Sequence, residues 1–222
     1  MMDIKHYNNI HKNKDIYVLA SGKSVDFIDN SFFDNKIIIG VNQAYKKVKC
    51  SYLVRKEYKI LMDSIQLNPN TLHFISKGDC GGNNNKNISY IKENNIKCVV
   101  YNHNHNTCSM PPILPDNDKL VVSYSTITTA IHLAAYMGAK NIILIGHDCG
   151  TINNEPNFKN YHNENTYKIS WKNGKKDYTE WLKKIELQTI QLKKMLYDKY
   201  KCNIYSLNPF INFNLEGNIY KK

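Results

Sequence analysis

Arginine is almost missing from this chain. Thirty of its 222 residues are basic, yet Arg55 is the single arginine. The planar guanidinium fork is the side chain best suited to grip phosphates and base edges, so a dedicated nucleic-acid reader is expected to carry more of it. The formal net charge of +11 therefore rests on lysine. With asparagine, isoleucine and tyrosine also abundant, that excess reads first as the mark of an A/T-rich coding sequence. A footprint for nucleic acid or an anionic surface is the second reading. Long apolar runs are missing too. The stretch NIILIG, residues 141–146, is among the longest and is far too short to span a bilayer. The opening MMDIKHYNNI has no apolar signal core. A soluble, cytoplasmic protein is expected, with peripheral membrane association left open. The six cysteines contain no C-x-x-C pair, which argues against a zinc ribbon or redox motif and for reduced structural thiols. Neither G-x-x-x-x-G-K-[ST] nor G-x-G-x-x-G occurs.

What the chain does have is a series of short β-rich runs, at residues 15–20, 36–41, 51–54, 72–76, 97–101, 141–146 and 203–207. Several are apolar on both faces, as buried parallel strands are. Helical patterns lie between some of them. In STITTAIHLAAYMG, Ile127, Ala130, Ile131, Ala134 and Ala135 share a face, with Ser125 to cap the start and Gly138 to end it. The stretch YTEWLKKIELQTIQLKKMLYDKY carries Trp181, Ile185, Leu192 and Leu196 on one stripe. This alternation predicts an α/β, Rossmann-like fold: a mostly parallel sheet flanked by helices, as one domain over residues 1–222. Residues 78–87 and 102–118 read as irregular loops. Residues 150–178 read as a lid-like insertion after the strand that ends in Gly146-His147-Asp148.

Ligands of open α/β sheets bind beyond the carboxyl ends of the strands. The first strand leaves there through Ala20-Ser21-Gly22-Lys23-Ser24. Gly22 permits close backbone approach, Lys23 brings charge, and Ser24 can cap a following helix whose amides would face an anion. An ordinary strand-to-helix turn explains the same residues. Asn42, leaving the second strand, can offer a carbonyl and an amide to a base or ribose, or simply form a turn. Asp148 suits ribose or sugar hydroxyls, or a loop cap. Arg55 and Lys56 can neutralise donor phosphates or open a solvated helix. His103 and His105 bring two potential metal ligands together without an evident third, so no metal site is expected. His132 lies in a helix pattern and reads as structural.

The segments LASGKSVDFID, GVNQAY, SYSTITTAIHLAAYMGAKNIILIGHDCG and NIYSLNPF, in that order, resemble one superfamily. It contains the bacterial family 42 sialyltransferases, the motility-associated factor glycosyltransferases and the 6-hydroxymethylpterin diphosphokinase-like proteins. The resemblance implies a nucleotide-binding transferase. In its sialyltransferase branch, a sugar (a nonulosonic acid) passes from a CMP-sugar to an acceptor hydroxyl, on a glycan for example, without metal or other cofactor. Carried over, Ser21, Gly22, Ser24, Asn42, Ser125, Thr126, Gly146 and Asp148 would surround the donor, while Lys23 and Arg55 offer the charge to stabilise its departing phosphate. The family's histidine ahead of the late helix has no counterpart in KNGKKDYTEW. Tyr161 and His162 of the lid, with His147, are the candidates to serve as base and leaving-phosphate donor, imidazole being suited to proton transfer near neutral pH. The pterin branch implies the alternative of an ATP- and magnesium-dependent diphosphokinase. A DNA-directed glycosyltransferase or nucleic-acid-binding module is the remaining alternative.

Overall fold

The computed structural model describes residues 2–56, 58, 61–77, 86–103, 119–123, 125–153, 155–161 and 175–207. Its strands are β1 (Met2–Asp3), β2 (Asp15–Leu19), β3 (Ile37–Val41), β4 (Tyr52–Arg55), β5 (Leu72–Ser76), β6 (Val99–His103), β7 (Lys119–Leu120), β8 (Asn141–Ile145) and β9 (Asn203–Ser206). Its α-helices are α1 (Leu61–Leu67), α2 (Lys86–Glu93), α3 (Thr126–Tyr136) and α4 (Lys175–Tyr200). The strands form one sheet in the order β1-β6-β5-β4-β3-β2-β8-β9, with β7 also on β6. Every strand pairing among the described residues is parallel. The Rossmann-like α/β reading therefore holds.

The strand sequences explain the layering. Ile16, Val18, Ile39, Val41, Ile142 and Leu144 point into a core closed by α3 and α4. Leu19, Ile38, Leu53, Ile143 and Ile145 fall on the opposite face, against Val25, Phe33, Tyr45, Phe158 and Tyr161. Apolar residues at successive positions thus serve two layers, as a sheet covered on both sides requires. All eleven residues of α3 are buried. Its alanines and threonines let it sit close to the strands while α4 packs over it. Ser125 caps α3, its hydroxyl accepting from Ile127 N–H, and Gly138 at φ +87° ends the turn beyond it. The amides of Asn9, His11 and Asn13 bond the carbonyls of Tyr136, Met137 and Gly138 at 2.8–3.0 Å, satisfying carbonyls that the helix end leaves over.

Two local expectations are corrected. No α-helix follows the first strand's exit. The chain makes two 3-10 turns instead, Lys23–Phe27 and Asn30–Phe33, because Asp29 accepts from Ser31 N–H at 2.8 Å and restarts the turn. Asn87, expected in an irregular loop, lies in the first turn of α2. It is fully buried, with its side-chain amide on the carbonyls of Lys56 and Ser76 at 2.7 and 2.8 Å.

Candidate active site

From β2 the chain runs one way along the sheet, through β3, β4, β5 and β6, and then crosses back to place β8 on the other side of β2. The carboxyl ends of β2 and β8 therefore bound a switch-point crevice, the usual ligand position in such folds. Pairing continues past the strand ends: Ala20 N–H bonds the Ile145 carbonyl at 2.8 Å, and Gly22 N–H bonds that of Gly146 at 2.7 Å. Gly22 is needed for closeness rather than for an unusual φ. A Cβ there would lie 2.5 Å from both the Gly146 carbonyl oxygen and Asp148 Oδ2.

Asp148 is 2% exposed. Its carboxylate accepts from Ser24 N–H at 2.8 Å and from Ser24 Oγ–H at 2.5 Å. Burial holds its carboxyl above the ordinary value, while the two bonds from Ser24 pull the other way. The amides of the β2 exit are consequently engaged: Gly22 with Gly146, Ser24 with Asp148, and Val25 with the Gly22 carbonyl at 3.2 Å. A pyrophosphate cradle needs such amides facing the ligand.

Residues 155–161 are folded down on this exit. Phe158 N–H bonds the Ser21 carbonyl at 2.9 Å, and Lys159 N–H bonds the Asp26 carboxylate at 3.0 and 3.1 Å. Lys46 Nζ donates to the Tyr161 carbonyl at 3.2 Å. Lys23 pairs with Asp26 at 3.0 Å and with Glu155, and those bonds raise its pKa. Its charge thus bridges the two carboxylates at the surface. Phe158 and Tyr161 are buried, their rings edge-to-face at 5.1 Å. The Tyr161 phenol is hydrogen-bonded with the side chains of Ser21 and Asn42 and with the backbone of Gln43, and burial raises its pKa.

Asn42 leaves β3 in a left-handed conformation, φ +53°. Its N–H bonds the Val54 carbonyl at 3.2 Å, and its carbonyl accepts from Arg55 Nη2 at 2.8 Å. Arg55 is buried over the Tyr45 ring, 5.4 Å from the guanidinium carbon to the centroid, and Tyr45 donates its phenol proton to Asp63. Burial lowers the Arg55 pKa. Ser21, Gly22, Ser24, Asn42, Arg55, Gly146, Asp148 and Tyr161 are thus brought into one network across the β4, β3, β2 and β8 exits.

Other candidates fall elsewhere. Ser125 caps and Thr126 opens α3, shortly after Ser123, whose carbonyl accepts from Lys56 Nζ at 2.7 Å. His147 is buried, with Nε2 at 2.8 Å from Thr189 Oγ1 of α4. The threonine hydroxyl also lies 3.0 Å from the Ile185 carbonyl. Burial lowers the His147 pKa to about 4, and the side chain ties β8 to α4. His132 is likewise structural, Nδ1 accepting from Val121 N–H at 3.0 Å and Nε2 meeting the Tyr200 hydroxyl at 3.0 Å. His162 and His105 lie outside the described residues. Among the described residues, no group of three metal-ligating side chains gathers. A groove of about 560 Å³, lined in part by Lys77, Lys92 and Asn102, lies at the β1–β6 edge, away from the switch point. Sequence reasoning missed Gln43, Tyr45 and Phe158; two aromatics in an otherwise asparagine-rich loop were the available signal.

No family model and no curated protein matches the chain. Solved structures do. The Campylobacter jejuni sialyltransferase CstII, in complex with the substrate analogue CMP-3FNeuAc, superposes with a TM-score of 0.51 at 16% identity. The match covers 90% of this chain and 83% of that one. The chain has the CstII fold. The same TM-score, identity and coverage are found for that enzyme with trisaccharide acceptor and CMP. A MAf glycosyltransferase from Magnetospirillum magneticum AMB-1 matches 71% of this chain and 28% of its own length, with a TM-score of 0.46.

Proposed function

We propose that this protein is a glycosyltransferase that takes a sugar from a nucleoside-monophosphate donor, a CMP-linked nonulosonic acid, and passes it to an acceptor hydroxyl without metal. The observation that carries the reading is the closed β2–β8 exit. Gly146 and Asp148 already occupy the amides that a nucleoside diphosphate or triphosphate would need. A carboxylate at that point repels a polyphosphate more strongly than a single phosphate, which would share Ser21, Asn42 and the Gln43 amide with the Tyr161 phenol that they bond here. The ATP- and magnesium-dependent alternative has no such support: Asp148 is bonded to Ser24, and Asp26 to Lys23 and Lys159.

In this reading Asp148 and Gly22 fix the crevice floor, and Asn42 meets the nucleotide. The Tyr161 phenol, which shares hydrogen bonds with the same groups, donates to the departing phosphate as its charge develops. Ser125 and Thr126, at the capped start of α3, face the donor sugar from the rim. His162, next in the chain after Tyr161, takes the acceptor proton. His147, lowered to about 4 and committed to Thr189, is a poor base at neutral pH and serves to hold β8.

The test is a nucleotide panel read by thermal shift, followed by CMP-sugar hydrolysis. CMP should raise the melting temperature more than UDP or ATP, since a ligand bound only by the folded form stabilises it. His162→Ala should abolish transfer while CMP still binds. A panel in which CMP gives no shift, or in which ATP with magnesium gives the largest, overturns the proposal.

A further inference from the structure

The carbonyl of Asn42 and the N–H of Gln43 belong to one peptide unit, which is planar with the two groups pointing oppositely. Arg55 Nη2 holds that carbonyl at 2.8 Å. On the other side of the same plane, the Gln43 backbone is hydrogen-bonded to the Tyr161 phenol. The direction of the amide is therefore set by the grip on the carbonyl. Arg55 itself has little freedom. Its side chain is 2% exposed and lies over the Tyr45 ring, and its own carbonyl accepts from Tyr101 Oη–H at 3.0 Å. The Asn42 N–H is held by Val54, also of β4. Residue 42 is thus clamped at both backbone groups in a left-handed conformation, which asparagine tolerates better than most residues.

We infer that Arg55 is a positioning residue for the donor site: through the Asn42 peptide it aims the Gln43 amide, and with it the Asn42 side chain, toward the crevice at the β2 exit. This rests on the nucleotide-transferase reading. A lysine cannot take the place, although lysine fills every other basic position of the chain. A single ammonium on a flexible stem cannot lie flat on a ring while donating in the plane of a carbonyl.

The experiment uses the full chain and two readouts. The first needs no ligand: amide hydrogen exchange at Gln43, followed by NMR in the wild type and in Arg55→Lys. Gln43 should exchange at least about tenfold faster in the variant, while Val18 and Leu144 keep their protection, as expected for local rather than global opening. The second is CMP affinity by calorimetry, which should weaken by at least about tenfold, a 1.4 kcal/mol change. Unchanged Gln43 exchange in folded Arg55→Lys overturns the inference, and so does loosened Gln43 with unchanged CMP affinity. A wild type that binds no CMP refutes the transferase reading instead, and the exchange result still decides whether Arg55 aims the amide. If Arg55→Lys does not fold, Tyr45→Leu removes the ring under the guanidinium while keeping every charge, and the same outcomes apply.

Discussion

Replacing Gly22 by alanine tests the apposition on which the site depends. The added methyl would lie 2.5 Å from the Gly146 carbonyl oxygen and from Asp148 Oδ2. The carbonyl belongs to backbone continuous with β8 and cannot swing aside. Inserting a methyl into a packed contact of this kind typically costs about 1–3 kcal/mol. Relief would require giving up the 2.7 Å bond from Gly22 N–H, worth about 1 kcal/mol, or turning Asp148 away from Ser24, whose bonds to a carboxylate are worth about 1.5–3 kcal/mol each. A net loss of about 3 kcal/mol is expected. For a chain of this length that lowers the melting temperature by about 6–12 °C. Circular-dichroism melts and urea titrations of Gly22→Ala measure it, with Lys23→Ala as a neighbouring substitution that should change little because its ion pairs lie at the surface. CMP binding should also fail in Gly22→Ala at temperatures where the variant is folded. A melting temperature within about 2 °C of the wild type would show that the exits are not in contact, and the reasoning would be wrong.

Three further outcomes are expected. His73, His132 and His147 are buried and neutral, lowered to about 4, 3 and 4 mainly by burial. They protonate near 6.5 when unfolded, so stability is complete above that value and falls as pH drops toward 4. At pH 5.5 each costs about 1.4 kcal/mol, and urea midpoints between pH 7.5 and 5.5 should report the uptake of about three protons per molecule unfolded. Asp148 acts in the opposite sense: its raised carboxyl contributes most below the unfolded carboxyl value and loses that contribution as pH rises. Tyr161→Phe strips the acceptor from the Gln43 amide and should destabilise by about 1–2 kcal/mol; it should slow CMP-sugar turnover at least about tenfold, and an unaltered rate would remove the phenol from the mechanism. Dialysis against EDTA should leave turnover unchanged, whereas activity lost on dialysis and restored by magnesium alone would count against the metal-free scheme.

The sheet was largely legible because β2, β3, β4 and β8 are apolar on both faces, a pattern that surface strands do not show. Their adjacency, and the meeting of Gly22, Asn42 and Asp148, followed from the rule for strand exits. Helices α1 and α2 escaped because both are short and rich in polar residues, and their stability comes from burying Leu61, Ile91 and Asn87 rather than from a periodic stripe. The exit loop was open to two readings because Ser24 suits either a helix cap or a hydroxyl donor to a distant carboxylate. Only the three-dimensional return of Asp148, 124 residues later, decides between them. Tyr161 was nominated from its place beside a histidine, but nothing in a run of asparagines says that Phe158 would anchor it under the β2 exit. The surroundings of His147 were not legible for a physical reason: a histidine at a strand's end looks the same whether it faces solvent or a helix.

The pairing of β2 with β8 joins residues 15–19 to residues 141–145, while every intervening strand lies on the far flank of β2. Until the later segment is synthesised and crosses back, one edge of β2 stays bare, carrying unpaired amides beside Val18 and Leu19. Chains whose decisive contacts span such separations fold slowly and aggregate readily while they wait. A ligand seated in the completed crevice would hold that last closure shut, so saturating nucleotide during refolding should raise the yield of soluble protein.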